Sequence, residues 1–378
     1  MDYPKQFTPH IRRKASTFSQ RREFFLCVCV LWISSRIYYF VTAGKGYGLA
    51  VILLGIIGIV FAMIPDIFWN LSVFFSKEHK HDAFKEFLYR VIHSYSFVTG
   101  LLLALLCPIG LPFWKLAIGA VLSILVFKLF FGGFGKNILN PAIFGRVFLQ
   151  LAFTSDRKTY LGQKPEDFTI STGASVTGLI NSKNGFSPIV SGLSFKNRII
   201  GNYRGTFGET FILVLLAICI YLCVRKIIDW RVPVTYIGTL FIAFVLMFLS
   251  AGDGGWAFKD AFRYLAIGGI FFGGILCLTD PVTSPTSRSG RMRFALTSAL
   301  ITLLIRLYTG SPEGVAYSIL IANVMTPFFD KINTGRTNKK LVPIAVNASL
   351  FALVLLSALV YGFRNKVNPS TGRFLKGR

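Results

Sequence analysis

The chain has 378 residues, of which 53% are hydrophobic, and its formal net charge is +25. Its mean hydropathy of +0.59 is far above that of a soluble globular domain, so composition excludes that class. In a soluble protein this positive net charge would suggest binding to nucleic acid. Here, however, the basic residues cluster between apolar runs. The positive-inside rule of membrane proteins explains that pattern better, and we expect no nucleic-acid partner.

Apolar runs that approach or meet the roughly 18–20 residues needed to cross a bilayer recur along the chain. They lie near 24–43, 47–64, 91–107, 113–131, 209–225, 232–250, 262–279, 293–309, 314–328 and 341–361. The sequence therefore predicts an all-α, polytopic helical membrane protein that is surrounded by lipid. A Walker loop, a dinucleotide glycine fingerprint and a nucleophile elbow are absent from the sequence, which argues against an independent soluble-type enzyme.

Lysine and arginine positions predict how the chain is divided and oriented. The expected divisions are a basic cytoplasmic segment 1–23, a first membrane half 24–153, an extracytoplasmic loop 154–208, a second membrane half 209–332, and a segment 333–378 that is basic and holds one extra hydrophobic run. A spanning helix at 341–361 would place the basic residues after it outside. That run therefore either breaks the charge rule or does not span.

The first interruption of the apolar pattern is the glycine-rich stretch that ends in Asn140 and Pro141. This pair predicts a helix N-cap followed by the first helical residue. The helix would reach only about Phe153, roughly 20 Å, which is too short to span. Short helices that begin beside glycines such as Gly133 line ligand sites in transporters. Close packing with an ordinary cap is the alternative.

The second interruption is the polar stretch 154–208, which is far longer than an ordinary connection. It contains the sequence TISTGASVTGL at 169–179, where Gly173 and Ala174 would leave the hydroxyl of Ser175 exposed. An enzyme that attaches a group to an alcohol needs such access. An unmodified loop is the alternative.

The third interruption follows the apolar run that ends near Asp280, in the sequence LTDPVTSPTSRSGRMR. A carboxylate at the C-terminal end of a helix meets the negative end of the helix dipole, so a compensating cation or donor array is expected. Thr279, Thr283 and Ser284 add hydroxyl groups around the same point. The site could hold a small cation or a polar cofactor; alternatively, Asp280 only anchors Arg288 or Arg291.

Ionisable residues beside membrane spans are functional candidates, and only 16 acids occur in the chain. Besides Asp280, the predicted ion-pathway acids are Glu209, Glu313 and Asp330. The competing interpretation is that these acids pair with cations such as Arg306, Arg288 or Lys331. For Asp330, the adjacent Lys331 favours that alternative.

Five motifs in one order carry a family resemblance over most of residues 10–332. They are FGGFGKNILNPAIFGRVFL, GNYRGTFGET, IDWRVPV, LTDPVTSPTSRSGR and SPEGVAYSILIANVMTPFFD. The chain resembles the integral-membrane flavin protein shared by the sodium-translocating NADH:quinone oxidoreductase (where it is called NqrB) and the Rnf electron transport complex (where it is called RnfD). The resemblance implies about ten transmembrane helices in two five-helix halves. We expect broken or short helices near 132–153 and 271–293.

The resemblance also implies two flavins. One is a flavin mononucleotide (FMN) joined through its phosphate to a hydroxyl, and the matching position is Ser175; Thr169 stands where the family's pattern has an aspartate. A flavin transferase would attach it. The other is a non-covalent riboflavin among the helices. We also expect Gly173, Ala174, Asn140 and Gly133 to take part in cofactor binding. The segment SFVTGLLLALLCP resembles a helix associated with quinone, with Gly100 at its centre.

The function expected from this resemblance is electron relay within a multisubunit complex of the bacterial inner membrane, coupled to transport of Na⁺ or H⁺. The nucleotide would be oxidised on partner subunits. A passive solute or ion channel of related architecture is the alternative, although it has no use for an exposed TGAS segment. A structural anchor for peripheral subunits is a third possibility and gives the membrane acids no role.

Overall fold

The computed structural model describes residues 17–76, 80–153, 206–209, 211–251, 257–266, 268–309, 314–332, 341–364, 367–368 and 373–374. Its helices are α1 (Thr17–Ala43), α2 (Lys45–Ser76), α3 (Lys80–Ser94), α4 (Ser96–Leu105), α5 (Phe113–Ile124), α6 (Pro141–Ala152), α7 (Ile212–Val224), α8 (Arg231–Ser250), α9 (Ala257–Leu265), α10 (Ile270–Phe272), α11 (Arg288–Tyr308), α12 (Gly314–Lys331) and α13 (Leu341–Arg364). Strands β1 (Val367–Asn368) and β2 (Arg373–Phe374) form a short antiparallel pair.

The first group of helices packs around α2, which contacts α1, α4 and α5. Its sequence is almost wholly apolar, and it continues through Pro65. Outward side chains of α1 such as Leu26, Val30 and Ile37 are large, apolar and exposed. Exposed apolar surface of this kind suits lipid, since water would penalise it.

Three irregularities interrupt this first group. Helices α3 and α4 meet at Tyr95, whose φ of 56° is left-handed. Helix α5 runs into a π-helical turn, Leu125–Leu129. Helix α6 begins only after Asn140 and ends after 12 residues, which confirms the predicted short helix and its cap.

The second group is built on α8, which packs against α9, α11 and α13, while α11 packs on α12. Helix α10 is extended by a second π-helical turn, Gly273–Cys277. The chain then leaves helical geometry until Ser287 caps α11, so the predicted break within 271–293 is confirmed. Contacts of α6 with α12 and of α1 with α7 join the two groups.

Five helical stretches of the described residues are long and apolar enough to cross a membrane: Thr17–Val41, Lys45–Leu71, Phe84–Leu105, Arg231–Ser250 and Ile344–Arg364. The bent pair Ala257–Leu265 and Ile270–Cys277 would make a sixth, and the apolar helices Pro141–Ala152 and Ile212–Val224 are shorter. The all-α, polytopic membrane architecture is thus confirmed. The count of ten spans and the division into halves stay predictions.

The last apolar run forms a regular helix, α13, which contacts α8 and α11. Val354 and Ala358 are buried on its packed face, whereas Leu353, Leu356 and Val360 are exposed. By length and hydropathy this helix qualifies as a span despite the basic residues that follow it in the sequence.

Candidate functional site

The broken helices meet around a cavity of about 330 Å³. Aromatic rings, amides, hydroxyls and charged groups line it from both groups of helices. The lining residues include Arg21, Tyr95, Lys128, Phe134, Asn137 and Asn140 from the first group, and Ile227, Leu276, Thr279, Asp280 and Val282 from the second. Pockets of this volume, with a few polar groups in largely apolar walls, are typical of small-molecule sites.

Asn140 connects the two breaks. Its side-chain oxygen accepts hydrogen bonds from the backbone N–H groups of Ala142 (3.1 Å) and Ile143 (3.4 Å), as an N-cap does. Its amide nitrogen donates to the carbonyl oxygen of Cys277 at 3.3 Å, at the end of the second π-helical turn. One buried asparagine therefore fixes the floor of the cavity on both sides.

Asn137 is the polar group of the cavity best placed for a ligand. Its side-chain Oδ1 is buried and has no hydrogen-bond partner among the described residues. Leaving a buried acceptor unpaired costs about 1–3 kcal/mol, so a donor brought within reach of this oxygen would be stabilised by pairing with it.

The sequence predicts that Asp280 needs a compensating partner. In the structure that partner is Arg21, from the first turns of α1. The Arg21 Nη2 donates to Asp280 Oδ1 at 3.1 Å, and both side chains are 15% exposed. The guanidinium also lies over the Phe134 ring, 5.1 Å from its centroid. The alternative pairing with Arg288 or Arg291 is wrong, because Arg21 occupies the carboxylate of Asp280 and Arg291 instead bonds Asp229 at 2.7 Å.

A second cavity of about 580 Å³ adjoins the first, and the two share the lining residues Gln20, Ile227, Ile228, Thr279 and Pro281. Its lining contains the cations Lys226, Arg231, Arg288 and Arg291 and the single acid Asp229. These four cations against one acid give the lining an excess of positive charge. This excess makes the cavity a favourable environment for anions.

Asp229 organises the second cavity. Its Oδ2 accepts from Arg291 at 2.7 Å and from Arg231 at 3.3 Å, and its Oδ1 accepts from the backbone N–H of Arg231 at 3.1 Å. Burial raises the pKa of Asp229, but the bonds from Arg291 and Arg231 outweigh it and hold the pKa below its usual value. Asp229 is therefore an ionised anchor for two arginines.

Two other predicted ion-pathway acids lie outside these cavities. Asp330 accepts hydrogen bonds from the backbone N–H groups of Thr286 (3.1 Å) and Ser287 (3.3 Å), so these donors, rather than Lys331, hold its carboxylate at the start of α11. Glu209 is buried, and its carboxylate lies against Gly269. A methyl group added at Gly269 would be only 2.8 Å from the Glu209 Oε1. A role of either acid in ion transport stays a prediction.

Gly133 and Gly100, both predicted to serve a ligand, have structural surroundings that differ. Gly133 takes a φ of +90°, which L-residues rarely adopt, and its N–H donates to the Lys128 carbonyl oxygen at 2.9 Å, which closes the π-helical turn. Gly100 is buried where α4 crosses α2, and it lines neither cavity. The association of Gly100 with quinone stays a prediction.

The predicted flavin-attachment residues Ser175, Gly173 and Ala174, and the acid Glu313, lie outside the described residues. Among the described residues, the sequence analysis did not predict one charged pair. Asp66 and Lys128, each 1% exposed, form an ion pair beside the first cavity, and Lys128 lines that cavity. The available signal was Lys128 itself, one of two cations, with Lys115, inside the apolar run 113–131.

The fold and the first cavity define a multi-pass helical membrane protein with a cavity of mixed polar and apolar lining between broken helices. The sequence model of the NQR2, RnfD, RnfE family matches residues 5–339 of the chain. The chain therefore belongs to that family. The resemblance inferred from the five motifs is thereby confirmed.

Curated relatives fall in two groups. The chain is 35% identical over 241 residues to a subunit of the proton-translocating ferredoxin:NAD(+) oxidoreductase complex of Clostridium ljungdahlii, covering 62% of this chain and 72% of the relative. It is 36% identical over 239 residues to a subunit of the Na(+)-translocating ferredoxin:NAD(+) oxidoreductase complex of Acetobacterium woodii, covering 63% and 71%. It is 29% identical over 280 residues to a subunit of the Na(+)-translocating NADH-quinone reductase of Chromohalobacter salexigens, covering 72% and 64%.

Proposed function

We propose that this chain is the membrane subunit of a redox-driven, ion-translocating electron transport complex of the bacterial inner membrane. It carries FMN on Ser175, attached by a flavin transferase, and riboflavin in the first cavity. Other subunits of the complex supply and remove the electrons, quinone being one acceptor class, and the transport of Na⁺ or H⁺ is coupled to their flow. Relatives named as subunits of proton- and sodium-translocating oxidoreductases support this proposal.

The observation that carries the proposal is the unpaired Asn137 oxygen in a cavity built where two helices break. A flavin supplies one-electron transfer when bound. The residues fit such a group: Asn137 offers an acceptor for a ring N–H, and the rings of Tyr95 and Phe134, 4.9 Å apart between centroids, offer aromatic surface. The Arg21–Asp280 pair adds no net charge to the wall.

The ion-coupling part rests on charge in the membrane. Moving one elementary charge against about 100 mV costs roughly 2.3 kcal/mol, so a coupled subunit needs groups whose charge responds to electron transfer. Asp280 and Arg21 lie in the wall of the cavity that would hold the flavin, which makes them well placed for that role. A passive channel would need no flavin, so flavin content separates the two functions.

Covalent attachment is tested on Ser175. When the flavin transferase is co-expressed, mass spectrometry of the peptide that contains 169–179 should show one added FMN. The Ser175→Ala variant should lose it completely, since the acceptor oxygen is gone, whereas Thr177→Ala, a neighbouring hydroxyl, should keep it. Modification that persists in Ser175→Ala, or an unmodified wild-type peptide, would refute the assignment.

Non-covalent flavin is tested on Asn137. The Asn137→Leu variant keeps the side-chain size but removes the acceptor. The riboflavin extracted from it should fall by at least about tenfold, which corresponds to a loss of roughly 1.4 kcal/mol in binding free energy. The covalent FMN should be unchanged. Asn70→Leu is the matched control, because Asn70 donates to the Asp66 carbonyl oxygen outside the cavity. Equal riboflavin in all three proteins would exclude the cavity as the binding site.

A further inference from the structure

The Asp66–Lys128 pair lies deep in the helical bundle, near the C-terminal end of the span Lys45–Leu71. The Lys128 Nζ is 3.5 Å from the Asp66 Oδ2, and each side chain is 1% exposed. Charges this well buried persist only when other polar groups surround them.

The ammonium group of Lys128 is enclosed by oxygen atoms. It donates to the Ser94 carbonyl oxygen at 2.5 Å and to the Ser96 hydroxyl, and it faces the Asp66 carboxylate. The Ser94 and Ser96 hydroxyls in turn both donate to Asp66 Oδ2, the former at 2.7 Å. Asp66 Oδ1 is buried and has no hydrogen-bond partner in the described part of the chain.

These oxygens and the ammonium group come from three segments, each with a helical irregularity. Asp66 follows Pro65 within α2, Ser94 and Ser96 flank the left-handed Tyr95, and Lys128 lies in the π-helical turn. The Ser94 carbonyl is at the C-terminal end of α3, where the helix dipole is negative. Carbonyl oxygens at helix ends and breaks bind monovalent cations in membrane transporters.

We propose that Asp66, Ser94 and Ser96 form a binding site for a monovalent cation, in which the ammonium group of Lys128 is the resident cation. A carboxylate, a carbonyl and hydroxyls are ligands suited to a hard ion such as Na⁺ or Li⁺. Lys128 also lines the first cavity, so the proposed cation site lies in the wall of that cavity. The proposal does not depend on a flavin in that cavity.

The test removes the resident cation and supplies a free one. In Lys128→Met the stem is kept and the charge is lost, so the Asp66 carboxylate needs another cation. The full chain in detergent should unfold at a temperature at least about 3 °C higher in NaCl or LiCl than in choline chloride at equal ionic strength. This shift should exceed any shift of the wild-type chain, in which Lys128 occupies the site.

Lys115→Met is the matched control, since Lys115 is also buried but lies over the rings of Trp114 and Phe153, at 5.4 Å and 4.8 Å from their centroids. It should respond to Na⁺ as the wild-type chain does. In the double variant Asp66→Asn/Lys128→Met the extra Na⁺ response should vanish. A folded Lys128→Met variant with no extra response would overturn the proposal and leave a structural ion pair.

Failure of Lys128→Met to accumulate is also informative. If Asp66→Asn then restores accumulation, the defect was the uncompensated carboxylate, which supports a site that requires a cation. If both variants fail to accumulate, the ammonium group is needed for its hydrogen bonds to Ser94 and Ser96 and not only to neutralise Asp66, and the proposal is overturned.

Discussion

The Asp280→Asn variant is expected to assemble with its covalent FMN intact and to lose at least about tenfold of its redox turnover or cation uptake, equivalent to roughly 1.4 kcal/mol in the barrier. Asparagine keeps the size and can still accept a hydrogen bond from Arg21, but it no longer neutralises that guanidinium. The remaining positive charge would face the cavity wall beside Phe134. Turnover with the native electron donor and ²²Na⁺ uptake into vesicles are the measurements.

A second arginine–aspartate ion pair of similar exposure provides the control. Asp260 accepts from Arg263 at 2.7 Å, and their side chains are 20% and 14% exposed, close to the values for Asp280 and Arg21. Neither Asp260 nor Arg263 lines the two cavities. Asp260→Asn should therefore leave turnover unchanged. Equal losses in both variants, or failure of Asp280→Asn to assemble, would indicate that Asp280 serves only stability.

Gly100→Ala is expected to destabilise the protein by at least about 3 kcal/mol, at the upper end of the cost of overpacking a core. A Cβ at this position would lie 2.1 Å from the Gly58 carbonyl oxygen and 2.7 Å from the Ala62 Cβ. Backbone cannot give way as a flexible side chain does, so α4 would have to move off α2. Thermal unfolding in detergent and the yield of folded protein by size exclusion are the measurements.

Gly238→Ala is the matched control because it makes the same substitution inside a helix, with no atom within 4 Å of the added Cβ. It should stabilise α8 by about 0.5–1 kcal/mol. If Gly100→Ala is as stable as the wild-type chain yet alters quinone-dependent turnover, the quinone association of Gly100 is favoured. A large loss of stability would assign Gly100 to helix packing instead.

Local chemistry explains which parts of the site were predictable. Asn140 followed by Pro141 specifies a helix start within a few residues, and the structure has that cap. The dipole argument for Asp280 required a compensating partner, and one exists. Its identity could not be read from one sequence, since Arg21 lies 259 residues away. Proximity along the chain pointed to Arg288 and Arg291 instead.

The same limit applies to the buried pair. Asp66 and Lys128 come from different helices, and no periodic pattern links them. The apolar neighbours of Lys128 show that it is unusual. However, the oxygens of Asp66 and Ser94 surround it only because α2, the α3–α4 break and the π-helical turn meet in the fold. For Asp330, the adjacent Lys331 suggested a pair, whereas the fold presents the backbone donors of Thr286 and Ser287.

The three hydrogen bonds of Asn140 also have a mechanical consequence. The side chain is held by two donors at the start of α6 and by one acceptor at Cys277, so it cannot rotate without breaking at least one of them. A displacement of the second π-helical turn would therefore act on the first turn of α6 through the hydrogen bond between the Asn140 amide and the Cys277 carbonyl oxygen. If the cavity between them changes volume, the two helix breaks must either move together or lose the hydrogen bond between Asn140 and Cys277.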